Sequence, residues 1–295
     1  MSDVTLTSGK TSITLHGNEW DGHGLALASL QGWYETPSAK VASTARGQGD
    51  GGHDIPEADI LYEARTVTIG YRVVAGSDRS AALEQLRLLD RLCHGLVTCR
   101  VMDEGQDTVC EGGYYARALD QKTQNPLWQD VTGSLTLVFQ RPERMSATPR
   151  STQLAALSGA STASGGGLDY NGVKGLRYPL QYGLDPDTGG RNVTVLENSG
   201  SSRAYPVFTV HGPMPDGVEL SFPGTASSLT CTQPVQGVPL VLDSRSRTAT
   251  MGGLDVSRTL TSRGFPTVNP GESVNVALVS RGDGFVDCAI RDTYM

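Results

Sequence analysis

Beyond residue 190 the chain is cut into short runs in which apolar and polar residues alternate, each closed by a turn signal. The runs are Val193 to Leu196, Pro206 to Gly212, Val218 to Phe222, Ser228 to Thr232, Val238 to Asp243, Thr248 to Met251, Ser273 to Ser280 and Gly284 to Arg291. Successive side chains of a strand point to opposite faces. Valine, leucine and phenylalanine therefore gather on one side of most runs, and Ser, Thr, Asp and Arg on the other. Two sheets built this way bury their inner faces against each other, so the pattern predicts a β-sandwich.

The first half alternates too, but with one interruption. Leu61 to Val74, LYEARTVTIGYRVV, puts Val67, Ile69, Tyr71 and Val73 on one side and Thr66, Thr68, Gly70 and Arg72 on the other, which is a strand with one buried face. It carries no Lys or Pro, the residues that usually blunt an edge, and this suggests an edge left open for a neighbouring subunit. Directly afterwards Leu83, Leu86, Leu89 and Leu92 recur at helical spacing and predict a single amphipathic helix over 79–94. Ser77 or Asp78 can cap its first turn, and Gly95 can end it in the left-handed conformation. Further strands are expected over 96–102, 108–119 and 131–140.

With 36 Gly, 15 Pro and only 19% charged residues, the composition favours strands and tight turns over helices. Residues 151–167, STQLAALSGASTASGGG, offer too little apolar area to fold and mark the clearest boundary. The expected organisation is mainly β: a domain over 1–148 with one covering helix, a flexible linker over 149–168, and a sandwich over 169–295.

Charge and motif content exclude several function classes. The formal net charge is −7 with Lys and Arg scattered singly, so no basic stripe is expected to bind nucleic acid. No run is long and apolar enough for a membrane span, and the first residues lack the pattern of a secretion signal, so folding in a cytoplasm is expected. Five cysteines, Cys93, Cys99, Cys110, Cys231 and Cys288, form no CxxC pair and read as reduced, mostly buried thiols. The glycine-rich stretch Gly47 to Gly52 has no strand before it and no helix after it, so it lacks the dipole that would hold a phosphate. Asp185 to Gly190 opens like a calcium loop but has Leu196 in place of the closing Glu. Gly159 to Ala163 narrowly misses a serine-nucleophile elbow and falls in the linker. His16, His23, His53, His94 and His211 are dispersed, and Asp283 with Asp287 reads as a solvated rim. No catalytic residue, metal site or cofactor is expected, and the chain is not expected to be an enzyme.

The remaining motifs are architectural. The Arg46-Gly47 loop, the strand Arg65-Thr66-Val67-Thr68-Ile69 and the helix after it are similar to the N-terminal domain of the distal tail (Dit) family of long, flexible-tailed phages. In the second half, Asn198-Ser199-Gly200 followed by Tyr205-Pro206 through His211-Gly212 resembles that family's entry strand. Val235-Gln236-Gly237, the run Val238 to Asp243, and Phe265-Pro266-Thr267-Val268-Asn269-Pro270-Gly271-Glu272-Ser273 resemble its closing motif, with Ser273 where Asn is usual.

The resemblance implies a virion structural protein made in the host cytoplasm. N-terminal domains would form a homo-oligomeric ring, usually of six copies, at the distal end of the tail tube, with galectin-like C-terminal sandwiches projecting outward. Its partners would be copies of itself, the tail tube protein on one side and tail-tip or baseplate hub proteins on the other, with tape measure protein or DNA passing through the lumen unbound. In such a ring the loop and the open strand make Arg46, His53, Tyr62 and Arg65 the expected contact residues. The alternative is a carbohydrate-binding adhesin acting through the second sandwich, with Tyr178, Tyr182 and Tyr205 as stacking faces, together with Tyr170.

Overall fold

A computed structural model describes residues 3–17, 22–56, 59–75, 78–120, 131–156 and 192–295. The chain divides into two compact units, Met1–Thr148 with Thr293–Met295, and Pro149–Asp292. Among the described residues both are built from strands, with a single α-helix in the first.

The first unit opens with a hairpin, β1 (Asp3–Ser8) and β2 (Thr11–Leu15), turned at Gly9 and Lys10. It continues through β3 (Gly24–Gln31), β4 (Arg65–Val74), α1 (Arg79–Asp90), β5 (Val97–Asp103), β6 (Gln106–Leu119), β7 (Val131–Phe139) and β8 (Arg144–Ser146). The strands pair in the order β2-β1-β5-β6-β7-β4-β3, and β8 pairs with β6. His16, just past β2, bridges Ala26 of β3, so the two ends of this path meet and the sheet curls around its core. Val4, Leu6, Val67, Ile69, Leu135 and Phe139 point into that core, each from the alternate positions of its strand.

The expectation of an open edge in the segment 61–74 is corrected here. β4 pairs with β3 on one side, over Thr68 to Val74, and with β7 on the other, over Arg65 to Val73. The absence of Lys and Pro has a simpler reason: an interior strand has no edge to protect and no backbone N–H to spare.

The helix is also shorter than the expected 79–94. Asp78 caps it by accepting hydrogen bonds from the Ser80 and Ala81 amides, and α1 ends at Asp90, followed by turns to His94. His94, not Gly95, takes the left-handed conformation, at φ 65°. A Cβ at Gly95 would lie 2.2 Å from the Ser8 hydroxyl of β1, which would have to rotate away to admit it.

Ala82, Leu86 and Leu89 face the core from α1, and Leu92 follows from the turn after it. Replacing Leu86 with Ala should destabilise the first unit by about 2 to 5 kcal/mol, because the cavity cannot fully collapse between helix and sheet. Chemical denaturation reads this directly. A loss below about 0.5 kcal/mol, the scale of surface substitutions, would mean that this face of α1 is not packed in solution.

The second unit begins earlier than the expected residue 169. Residues 150–155, expected in the linker, form β9 (Arg150–Ala155), which pairs with β19 (Phe285–Ile290) through six residue pairs. The remainder of that linker, 157–168, lies outside the described residues. Next come β10 (Val193–Glu197), β11 (Val207–His211), β12 (Val218–Phe222), β13 (Ser227–Cys231), β14 (Leu240–Asp243), β15 (Thr248–Met251), β16 (Leu254–Asp255), β17 (Leu260–Arg263) and β18 (Ser273–Leu278). They form one sheet of order β10-β18-β12-β13-β17 and another of order β16-β15-β14-β11-β19-β9. Phe208, Val210, Phe222, Leu229, Leu242, Val276 and Val286 fill the space between them.

The quoted motifs of the second half meet in this sandwich. Asn198 is buried, and its amide nitrogen donates to the carbonyls of Ser202 at 2.7 Å and Val268 at 3.1 Å, while its side-chain oxygen accepts from the Gly200 amide at 3.0 Å. Its backbone N–H donates to Glu272, and its backbone carbonyl accepts from Gly271. One asparagine thus ties the Asn198-Ser199-Gly200 turn to the Asn269-Pro270-Gly271 turn, which is why these motifs occur together although about 70 residues separate them.

The last strand, β20 (Thr293–Tyr294), returns to the first unit and pairs with β8, Thr293 opposite Met145 and Tyr294 opposite Arg144. The sandwich therefore ends at Asp292 and not at residue 295.

Candidate functional site

Between β3 and β4 the first unit extrudes a long arm. Ala39 bridges Tyr62 and Ala45 bridges Gly52, with the Lys40 amide donating to the Leu61 carbonyl and the Glu63 amide to the Ser38 carbonyl. Nearer the tip, the Arg46 amide donates to the Gly51 carbonyl and the His53 amide to the Thr44 carbonyl. From Thr36 to Ala64 no described residue is buried. Ile55, Ile60 and Leu61 are among the exposed large hydrophobics of the chain. A two-stranded ribbon with neither face covered is at best marginally stable in water, so an arm of this kind needs a surface to lie against.

Its base, by contrast, is rigid. Gly32 turns the chain at φ +77°, and a Cβ there would come within 2.1 Å of the Thr66 carbonyl oxygen. Trp33 is fully buried in the core of the first unit. Arg65 lies beside it, 1% exposed, and its Nη1 donates to the carbonyls of Gly32 at 2.8 Å, Trp33 at 2.9 Å and Glu35 at 2.7 Å. Its Nε donates to the Pro142 carbonyl at 2.6 Å. Burial pulls the Arg65 pKa down, the first cost of placing this charge inside. Outside the clamp, the Tyr34 hydroxyl donates to Asp103 at 2.5 Å, and burial followed by this bond pushes its pKa up to about 12.

Of the four expected contact residues, the structure brings three together. Arg46, His53 and Tyr62 all belong to the arm, where the Arg46 guanidinium pairs with Asp54 at 3.0 Å. Arg65 is corrected: it is buried and engaged with four backbone carbonyls, so it holds the arm's base and does not reach a neighbour. The segment of 33 residues between β3 and β4, 32–64, is the sequence signal for the arm, since few loops in a compact unit are that long without a use.

Of the tyrosines expected to stack on sugars, the structure describes only Tyr205. Tyr170, Tyr178 and Tyr182 lie outside the described residues. Tyr205 is partly buried, and one face of its ring is covered by the Arg245 guanidinium at 4.6 Å from the centroid. Asp185 to Gly190 and Gly159 to Ala163 also lie outside the described residues. Asp287 pairs across strands with His211 at 3.1 Å, and the His211 ring stacks on Phe285 with centroids 4.5 Å apart. This is a self-satisfied cluster on the outer face of its sheet.

Four cysteines are buried and Cys93 is exposed. Burial pushes the Cys110 and Cys288 thiols up to about 12, which keeps them protonated and inert.

No known protein family profile matches the chain, and no curated protein matches it either. Solved structures do. The SPP1 Dit protein (gp 19.1), described as a paradigm of the hub adsorption apparatus in phages that infect Gram-positive hosts, aligns over 99% of both chains with a TM-score of 0.61 at 11% identity. A chain of the phage P2 baseplate in its activated conformation with Ca aligns over 99% of this chain and 98% of its own, with a TM-score of 0.54 at 8% identity. The same baseplate with Sr gives a TM-score of 0.53 at 9% identity. The chain therefore has a Dit-like, mainly β fold across both units.

Proposed function

We propose that this chain is a structural component of a phage tail tip, in which first units from several copies join into a closed ring that links the distal end of the tail tube to the hub. The observation that carries this reading is the exposed arm on a clamped base. A base held by Arg65 and Trp33 fixes where the arm starts, and an arm with no buried residue among those described has its binding surface outside its own subunit. A fold shared with a phage hub protein over 99% of both chains supports the same role. A contact between an arm and a different surface of the next copy is head-to-tail, and such a contact closes into a ring when the rotation allows. Six copies, a tube protein above and hub proteins below are part of this proposal, as is location in the virion.

The purified full chain should therefore form a defined oligomer whose mass is a fixed multiple of 31.2 kDa, with six copies in the proposed ring. Light scattering on the eluting peak measures it. A monomer at every concentration, together with failure to join a tail-tube protein preparation, would exclude self-assembly as the working principle.

A further inference from the structure

We infer that the groove formed by the β1–β2 turn, β2, the start of β3 and the C-terminal part of α1 receives the acidic arm of a second copy of this chain. This inference rests on the ring reading above and names the surface that the arm occupies.

The groove has a volume of about 410 Å³ and is lined by Lys10, His16, His23 and Arg91, with the hydroxyls of Thr11, Ser12 and Thr14 between them. Among the described residues, no Asp or Glu lines it. Asp3 stands behind it, 3.6 Å from His16. Lys10, His23 and Arg91 are exposed. In a chain of net charge −7 the turn and the end of α1 bring two cations, Lys10 and Arg91, to one groove, with two imidazoles beside them from the segments at the end of β2 and the start of β3.

The arm carries the opposite sign. From Gly47 to Glu63 there is no Lys or Arg, and Asp50, Asp54, Asp59 and Glu63 are all exposed. Arg46 engages Asp54, while Asp50 sits at the glycine-rich tip and Asp59 and Glu63 line the returning side.

Position argues for a neighbour's groove and not the arm's own. The arm leaves β3 after Gln31, whereas the groove uses Gly24 and Leu25 at the other end of the same strand. Seven residue steps at about 3.3 Å each set the two roughly 23 Å apart. The stretch from Ala39 to Ala45 spans six steps, about 20 Å, enough to cross to an adjoining copy. An acidic arm at one end and a basic groove at the other is the arrangement that a head-to-tail ring requires.

The test exchanges charge in the full chain and follows assembly by sedimentation velocity over a concentration series. Lys10→Glu with Arg91→Glu, and separately Asp50→Lys with Asp59→Lys, should each raise the subunit concentration at half assembly by about tenfold or more, since like charges then face each other. All four substitutions in one chain should bring it back to within a factor of about three of the natural chain, as expected of directly coupled sites. Each variant should keep the natural melting temperature, and the neutral pair Lys10→Gln with Arg91→Gln should fall between the natural chain and the reversal. Assembly of the natural chain that is indifferent to either reversal, or reversals that are not rescued together, would overturn the groove as receptor and leave the ring reading intact. A natural chain that never assembles, alone or with a tail-tube protein preparation, would overturn both.

Discussion

Replacing Arg65 with Met is expected to destabilise the first unit by about 3 to 5 kcal/mol, because several hydrogen bonds from one charged donor are lost at once. The side chain is 1% exposed, and removing it orphans the carbonyls of Gly32, Trp33, Glu35 and Pro142 together. Each hydrogen bond to a charged donor is worth roughly 1.5 to 3 kcal/mol, and an unpaired buried carbonyl costs about 1 to 3. Relief of the cost of burying the guanidinium offsets part of that sum, which is why the net expectation is no larger. Lys cannot rescue the site, because one ammonium cannot present the forked donors that reach carbonyls from two separate segments. Denaturant unfolding would read the loss in the first transition, with the second unit's transition unmoved. A change below about 1 kcal/mol would show that the arm's base is held by Trp33 and packing alone.

Deleting the arm should have the larger consequence for function. A chain in which residues 39–62 are replaced by a short Gly-Ser turn loses no described buried residue, so its first unit should keep its melting temperature within the small range of surface changes. Assembly should be abolished, because specific contacts of this kind bury on the order of 1,200 to 2,000 Å² and the arm is the surface proposed to supply them. Closed oligomers formed by the armless chain at the natural concentration would remove the arm from the interface.

Much of the fold was legible because period-two alternation is a direct image of a half-buried strand. Val218 to Phe222 and Thr248 to Met251 are strands with the bounds that their alternation suggests. The hairpin of β1 and β2 carries the same signal, Val4 and Leu6 facing Leu15 and Ile13 across a Gly9 turn, although its strands are short. Other elements have no such image. β9 has a single buried residue, Leu154, and β17 only Leu260, so their pairing depends on partners far along the chain. β4 shows how one pattern fits two positions: a strand without Lys or Pro can be an open edge or an interior strand, and only its pairing decides.

At the candidate site the limit is of the same kind. The length and glycine content of the loop marked the arm, and Arg46, His53 and Tyr62 were found on it. Arginine is mostly a surface residue, and nothing near Arg65 in sequence announces that two distant segments, 32–35 and Pro142, aim their carbonyls at it. The basic groove was invisible for the same reason, since Lys10, His23 and Arg91 stand apart until β3 and α1 bring them together.

Electron cryo-microscopy of intact tails containing this chain tests the central claim most directly. The account predicts a closed ring at the distal end of the tail tube, built from first units, with each arm seated on the neighbouring copy. Contacts found only between second units, or tails that contain no ring of this chain, would contradict it.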